Sequence, residues 1–420
     1  MAAARTRVAA TDALPRETQI LQPEAAARGG LAGSPYALRS PRSARLGAEG
    51  TVRVRVAARV RPLLPLEAAG HSKAKECIEV SNPALAIGKN CFIFDHAFSP
   101  DAAQEEVYQE CVEPLVDATL GGINGTLLAY GQTGSGKTYT MGTSGVPSVP
   151  EGALQRALRA IFNRTNEQEG PANFRVSYVE IFTDTGKAGS SCAEEIRDLL
   201  NPGQAHPLAT IKTDVDGQVR LEGVAEHEVW TVQEALSLLT LGSTARATCS
   251  TRMNVSSSRS HAIFSLEVVQ RRLVAGVPAS LTAKFQFVDL AGSEKVKLSG
   301  VEGEQLSQAI NINHGLFVLG RVITALTEGH LHVPFRESKL TRILQNSLGG
   351  NSRTCMIACV SPSDAHIADS ISTLTYAARA KEITNKPVVN QGPSCPNCSA
   401  LQAQLEALRG ERKAAQATAR

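Results

Sequence analysis

From Thr51 the chain reads Thr-Val-Arg-Val-Arg-Val-Ala, an alternation of period two that predicts a strand. Ser99-Pro100-Asp101 offers an N-cap and a proline for the first helical turn, which predicts a helix running to about Leu120. Gly125 to Tyr130 is a short apolar run closed by a glycine, and Phe174–Phe182 and Ala283–Val288 are two more strand patterns. Helical spacing fills 151–165, 231–246, 302–327, 338–347 and 366–381. Strands interleaved with helices of this size predict an α/β fold of three layers, a central mostly parallel sheet with helices on both faces.

The ends of the chain have another texture. Residues 1–50 hold 13 Ala, 7 Arg and no Lys, with one aromatic, Tyr36. Such a stretch buries too little apolar surface to offset its ordering entropy, and disorder is expected. Asp12, Glu17, Glu24 and Glu49 weigh against reading it as a mitochondrial presequence. Beyond Lys386-Pro387 the texture shifts again: Leu401, Leu405 and Leu408 begin a coiled-coil seam that Gly410 does not continue. The expected division is a tail (1–50), one large domain (51–382), a short strip (383–390) and a linker with one heptad (391–420), mostly disordered. A monomer or a weak homodimer follows from so short a seam.

Composition excludes more than it assigns. Lys and Arg total 43 against 40 acidic residues, so no global field announces a nucleic-acid binder, and an anionic partner has to be met by a local patch. No run approaches the ~18 apolar residues of a membrane span. The nine cysteines are scattered and read as reduced thiols. Cys395-Pro-Asn-Cys398 stands alone, whereas structural zinc takes four ligands.

The chemistry sits in three loops. Gly131-Gln132-Thr133-Gly134-Ser135-Gly136-Lys137-Thr138 fits G-x-x-x-x-G-K-[ST] and follows an apolar strand. Glycines let successive N–H groups curl around a phosphate, and the next helix offers its positive end. Lys137 reaches the β and γ phosphates and the Thr138 hydroxyl becomes a Mg²⁺ ligand. Phe285-Gln-Phe-Val-Asp289-Leu-Ala-Gly292 places an acid at a strand end and a glycine three residues on; in P-loop NTPases that acid holds Mg²⁺, usually through water. Asn254-Val-Ser-Ser-Ser258-Arg259-Ser260-His261, with Ser257 inside it, clusters hydroxyls and a cation as a γ-phosphate sensor does. Asn385-Lys386-Pro387-Val388 lacks the acid of a guanine-reading Asn-Lys-x-Asp loop, so ATP is the expected nucleotide.

In this order the three loops closely resemble the P-loop and two switches of the kinesin motor domain. Arg59-Val60-Arg61-Pro62 resembles the family's adenine-side motif, Tyr139 its adenine-stacking ring, Asn311-Ile312-Asn313 the start of its relay helix, and His332 to Gly350 its microtubule-binding segment. The resemblance covers roughly 51–390. It implies that Thr138, Ser258 and Asp289 organise Mg²⁺, the last through water. It further implies that Gly292 senses the γ-phosphate, that Ser257 and Ser258 belong to the catalytic set, and that an Arg259–Glu294 salt bridge closes the switches and orders the attacking water. Arg336, Lys339 and Arg342, at i, i+3 and i+6, would face acidic tubulin. Residues 383–390 resemble the neck linker of plus-end-directed members, and the strings around Asn385 and Gly350 resemble the chromokinesin and Hedgehog-pathway branch.

Two departures stand out. Phe182 and Glu194-Glu-Ile-Arg-Asp-Leu-Leu200 are separated by 183–193, where the family runs on without interruption, and Gln305 and Gln308 stand where charges are common. An ATP-driven motor on cytoplasmic microtubules is therefore the favoured expectation. A slow or non-motile kinesin regulating microtubule dynamics and a nucleotide-independent microtubule scaffold are the alternatives.

Overall fold

The computed structural model describes residues 50–69, 74–143, 149–167, 170–183, 194–201, 209–213, 219–252, 259–274, 277–294 and 314–393. The expectations for the N-terminal tail, the heptad at 401–408, Cys395 and Cys398, Asn311–Asn313, Gln305 and Gln308 lie outside them.

The central sheet uses β1 (Arg55–Val60), β2 (His96–Phe98), β3 (Gly125–Tyr130), β4 (Ala172–Thr183), β5 (Glu194–Asp198), β6 (His227–Val229), β7 (His261–Val274), β8 (Val277–Asp289) and β9 (Arg353–Val360). Their order is β6-β4-β7-β8-β3-β9-β1-β2, with β5 paired to the outer side of β4. Along β8-β3-β9-β1-β2 every pair is parallel. From β8 outward, β7, β4, β5 and β6 are antiparallel. The sheet is thus mixed, and the reason is connection length: β7 runs to Val274 and β8 starts at Val277, too short a link for the helical crossover that parallel neighbours need.

The helices are α1 (Glu113–Leu120), α2 (Lys137–Met141), α3 (Ala153–Asn166), α4 (Val232–Arg252), α5 (His314–Thr327), α6 (Lys339–Ile343) and α7 (Ile367–Ala380). The helix expected from Ser99 starts later, at Gln104, and carries a π-helical turn at Tyr108–Val112 before α1. Alternation along the strands feeds two cores. Leu127, Ala129, Phe264, Phe285 and Phe287 pack against α1, α3 and α4. Leu128, Val288, Ile263 and Met356 face α5, α6 and α7. In α3, Leu154, Leu158 and Ile161 recur at helical spacing and are fully buried. Each such side chain contributes about 1.5–3 kcal/mol.

Paired strands flank the polar 183–193 stretch. Thr183 pairs with Glu194, Phe182 with Glu195 and Ile181 with Ile196, so the register holds on both sides of residues 184–193. Residues after α7 lie along the sheet. Thr384 and Asn385 pair with Arg53 and Val52. The Lys386 N–H donates to Gly350 O (2.9 Å), Asn390 N–H to Gly122 O (2.8 Å), and Gln391–Pro393 pair with Ala279–Leu281.

Candidate active site

β3 ends in a loop that only glycines can trace. Gly131, Gly134 and Gly136 take φ of +145°, +74° and +99°, and a Cβ on Gly131 would run into the Cys359 carbonyl of β9. The loop delivers Lys137 to the first position of α2, where the side chain is buried and its ammonium donates to the carbonyls of Gly131 and Gln132, both at 2.8 Å. Burial pushes the Lys137 pKa down, and the Asp289 charge opposes that shift.

Asp289 stands at the end of β8, beside β3, and is only 3% exposed. Its Oδ2 accepts from Thr138 Oγ1 at 2.9 Å and from Thr143 Oγ1 at 3.3 Å. The third donor carries no motif: Arg246 of α4 reaches the same oxygen through Nη1 at 2.8 Å, while its Nη2 donates to Ser260 O at 3.0 Å. Burial works against the Arg246 charge, yet Asp289, Tyr178 and Glu180 hold its pKa above the ordinary value. Asp289 Oδ1 and Gln132 Oε1 are buried without a partner among the described residues. A Thr hydroxyl beside a carboxylate with one uncommitted oxygen is a hard-oxygen set that suits Mg²⁺.

The loop after β8 folds back on the cradle. Leu290 N–H donates to Ala129 O, and Ser293 N–H to Gly131 O at 3.1 Å. Glu294 spans the gap: its Oε2 accepts from the Thr133 N–H at 2.8 Å and its Oε1 from Thr133 Oγ1 at 2.5 Å. Gly292 lies against that contact, so a Cβ there would clash with Thr133 Oγ1 and both Glu294 oxygens. His261, at the start of β7, accepts from the Ala291 N–H through Nδ1 at 3.0 Å. Burial, with Arg246 nearby, depresses the imidazole to about 3 and keeps it neutral. Arg259 is exposed just before β7, and Ser257 and Ser258 lie outside the described residues.

A cleft of about 580 Å³ opens beside the cradle, lined by Arg59, Arg61, Pro62, Tyr139 and residues Thr133 to Thr140, with Asp289 at its floor. Arg59 donates to Gln104 Oε1 (2.7 Å) and Thr140 Oγ1 (3.0 Å), and its guanidinium lies 5.3 Å from the centre of the half-exposed Tyr139 ring. Arg61 Nε braces the loop by donating to Gly134 O at 2.7 Å. The guanidinium is itself held in a two-point pair with Glu67, whose carboxyl that hydrogen bond depresses to about 2. The sequence marks neither Glu67 nor Arg246, because neither lies in a recurring string.

The three basic residues expected to face a track are placed differently from a continuous helical stripe. Arg336 is exposed on a 3₁₀ turn, Phe335–Glu337, and extended Ser338 separates it from Lys339 and Arg342 on α6. Ser338 caps α6 by accepting from the Leu340 N–H and donates to both oxygens of Glu194 at 2.8 Å; Lys339 N–H donates to Glu194 as well. Buried Glu194 therefore ties β5, just after the 184–193 stretch, to the basic segment.

A strand, a glycine cradle with a buried lysine, and a Thr–Asp pair on the neighbouring strand define a P-loop nucleoside-triphosphate-binding protein. The family model for the kinesin motor domain matches residues 56–383, and the chain belongs to that family. It is 41% identical over 406 residues to Kinesin-like protein KIN-4A of Oryza sativa subsp. japonica, covering 85% of this chain and 37% of that protein. It is 45% identical over 358 residues to human Kinesin-like protein KIF7, covering 81% and 26%. A solved structure described as that of a fast kinesin, with implications for ATPase mechanism and interactions with microtubules, superposes with a TM-score of 0.72 at 38% identity. That alignment covers 82% of this chain and 95% of the other. The chain spans about a quarter to two fifths of the length of the curated relatives it matches.

Proposed function

We propose that this chain is an ATP-driven microtubule motor domain whose hydrolysis cycle moves the 383–390 strip. The observation that carries the reading is the junction of Thr138, Asp289 and Arg246 beside the buried Lys137. Nothing in a simple glycine turn requires a lysine, a threonine and a strand-end acid to converge there. Thr138, Ser258 of the first switch and, through water, Asp289 would hold Mg²⁺, which would supply positive charge against the charge that develops on the phosphates.

The remaining roles belong to protein groups. Lys137 and the 131–136 amides hold the phosphates, and Tyr139, Arg59 and Pro62 frame the base. Gly292 lets its loop approach the cradle, and Glu294 reports on the cradle through Thr133. The resemblance assigns Glu294 to Arg259 in the closed state; exchange of Thr133 for Arg259 would be the closing step. Arg336, Lys339 and Arg342 form the track contact. The strip lies along the sheet from Asn385 to Asn390, a docked geometry in keeping with plus-end movement.

Steady-state turnover with and without microtubules tests the reading. The parent chain should be stimulated by microtubules. Arg259→Ala and Glu294→Ala should retain nucleotide yet lose at least about a hundredfold in turnover, the usual scale for losing a group that acts only in the transition state. Normal stimulated turnover in either variant refutes the assignment.

A further inference from the structure

The middle glycine of the cradle is held by groups outside the cradle. Gly134 takes φ +74°, and among the described residues nothing stands within 4 Å of where its Cβ would be, so packing does not fix the peptide that follows it. Two hydrogen bonds do. The Ser135 N–H donates to Gln132 O at 3.2 Å, and Gly134 O accepts from Arg61 Nε at 2.7 Å. The second bond is shorter and charge-assisted, hence the stronger. A peptide released from it can rotate, because glycine tolerates the backbone change at little cost. Rotation would set a carbonyl oxygen among the N–H groups that receive phosphate, where it opposes an anion.

Arg61 keeps its Nε on Gly134 because the far end of the side chain is clamped. Glu67, on the short helix Pro65–Ala69, accepts from Nη1 at 2.7 Å and from Nη2 at 2.6 Å, and Ser361 Oγ accepts from Nη2 at 3.0 Å. A fork of this kind fixes the plane of the guanidinium and with it the direction of Nε. The Arg61 and Glu67 side chains are only 11% and 17% exposed, so salt screens the pair little. Glu67 also accepts from the Leu64 N–H at 2.8 Å and lies 3.8 Å from His366 Nε2, contacts that serve local structure alone.

We propose that Glu67 is a positioning residue for nucleotide binding: through Arg61 it fixes the Gly134–Ser135 peptide and keeps the cradle in the shape that accepts phosphate. The proposal rests on the nucleotide reading of the cleft and adds to it a residue that lies outside the cradle and the switches.

Titration calorimetry of Mg·ADP on the nucleotide-free full chain tests it, with thermal unfolding to check that each variant is folded. Glu67→Gln keeps an acceptor for Leu64 but turns an amide toward the guanidinium, and should weaken Mg·ADP by about tenfold. KM for ATP should rise by a similar factor while kcat falls no more than about twofold, the pattern of lost ground-state binding. Arg61→Met should weaken Mg·ADP at least as much, and adding Glu67→Gln to it should cost no more than about a further twofold, because the second residue acts through the first. Unchanged or tighter binding in Glu67→Gln, or a full tenfold further loss in the double variant, overturns the proposal. Should Glu67→Gln not fold, unchanged affinity in Glu67→Asp, too short to meet both Nη atoms, overturns it instead. A parent chain that binds no Mg·ADP sinks the nucleotide reading and this proposal with it, whereas a parent that binds and variants that match it sink this proposal alone.

Discussion

The residues that decide the site act through what a single added or lost group would do. Gly292 has no space for a side chain between Thr133 and Glu294, so Gly292→Ala should part that contact. Nucleotide affinity should change little while turnover falls by about a hundredfold, read by comparing ADP retention with steady-state rates. Arg246 is the cation of a buried pair with Asp289, and Arg246→Ala would leave that carboxylate uncompensated. Denaturant unfolding should show a loss of about 3–5 kcal/mol. Buried His261 titrates near 3 when folded against about 6.5 when unfolded. Above pH 6.5 neither state is protonated and stability is unaffected. As pH falls below 6.5 the unfolded chain takes up a proton the folded one refuses, so stability declines by up to about 1.4 kcal/mol per unit until about pH 3. His261→Gln, whose amide oxygen can still accept from Ala291, should flatten that slope between pH 6.5 and 5. An unchanged slope would show that other groups carry the acid response.

Elements were legible where local pattern and tertiary demand coincide. The cradle, β3 and Asp289 could be read because phosphate chemistry fixes residue type and spacing together. β4 and β8 are visible as apolar runs, although each extends beyond the predicted bounds, since flanking residues such as Ala172, Ser280 and Thr282 pair without being strongly apolar. β7 has no clear signature in the sequence: its outer half, Val269-Gln-Arg-Arg, breaks the alternation, and it is ordered by its neighbours β4 and β8. Arg246 and Glu67 were illegible for a related reason. A lone Arg on a helix gains meaning only when folding brings a strand-end acid to it. The post-helical strip offers an element-scale test. Gly122 has φ +82°, and a Cβ there would press on Val389 and Leu281, so Gly122→Ala should loosen 385–391. Faster amide exchange at Asn390, which donates to Gly122 O, is the expected readout, with basal turnover unchanged. Equal exchange would mean that the Asn390 and Gln391–Pro393 bonds suffice without that close fit.

At the scale of the whole molecule, a formal charge of +3 is too small to steer the chain toward an acidic polymer. The proposed track contact must therefore rest on local charge, and the location of that charge makes a prediction. Arg336 is exposed, whereas Lys339 and Arg342 are half-buried and Arg342 donates to Thr213 Oγ1 at 3.2 Å. Screening acts most on the exposed member, because the Debye length shortens from about 10 Å at 0.1 M to about 3 Å at 1 M salt. Microtubule co-sedimentation should accordingly weaken steeply with added salt in the parent chain. Arg336→Ala should bind more weakly at low salt and also respond less to salt. Glu194→Gln removes the charge that anchors Ser338 and the Lys339 amide without touching any basic residue. It should lower affinity at every ionic strength while leaving the salt slope intact, because it disturbs the position of α6 and not its charge. If Glu194→Gln instead left affinity unchanged at every ionic strength, the basic residues would be reaching the track independently of their anchor, and the link between β5 and α6 would have no part in binding.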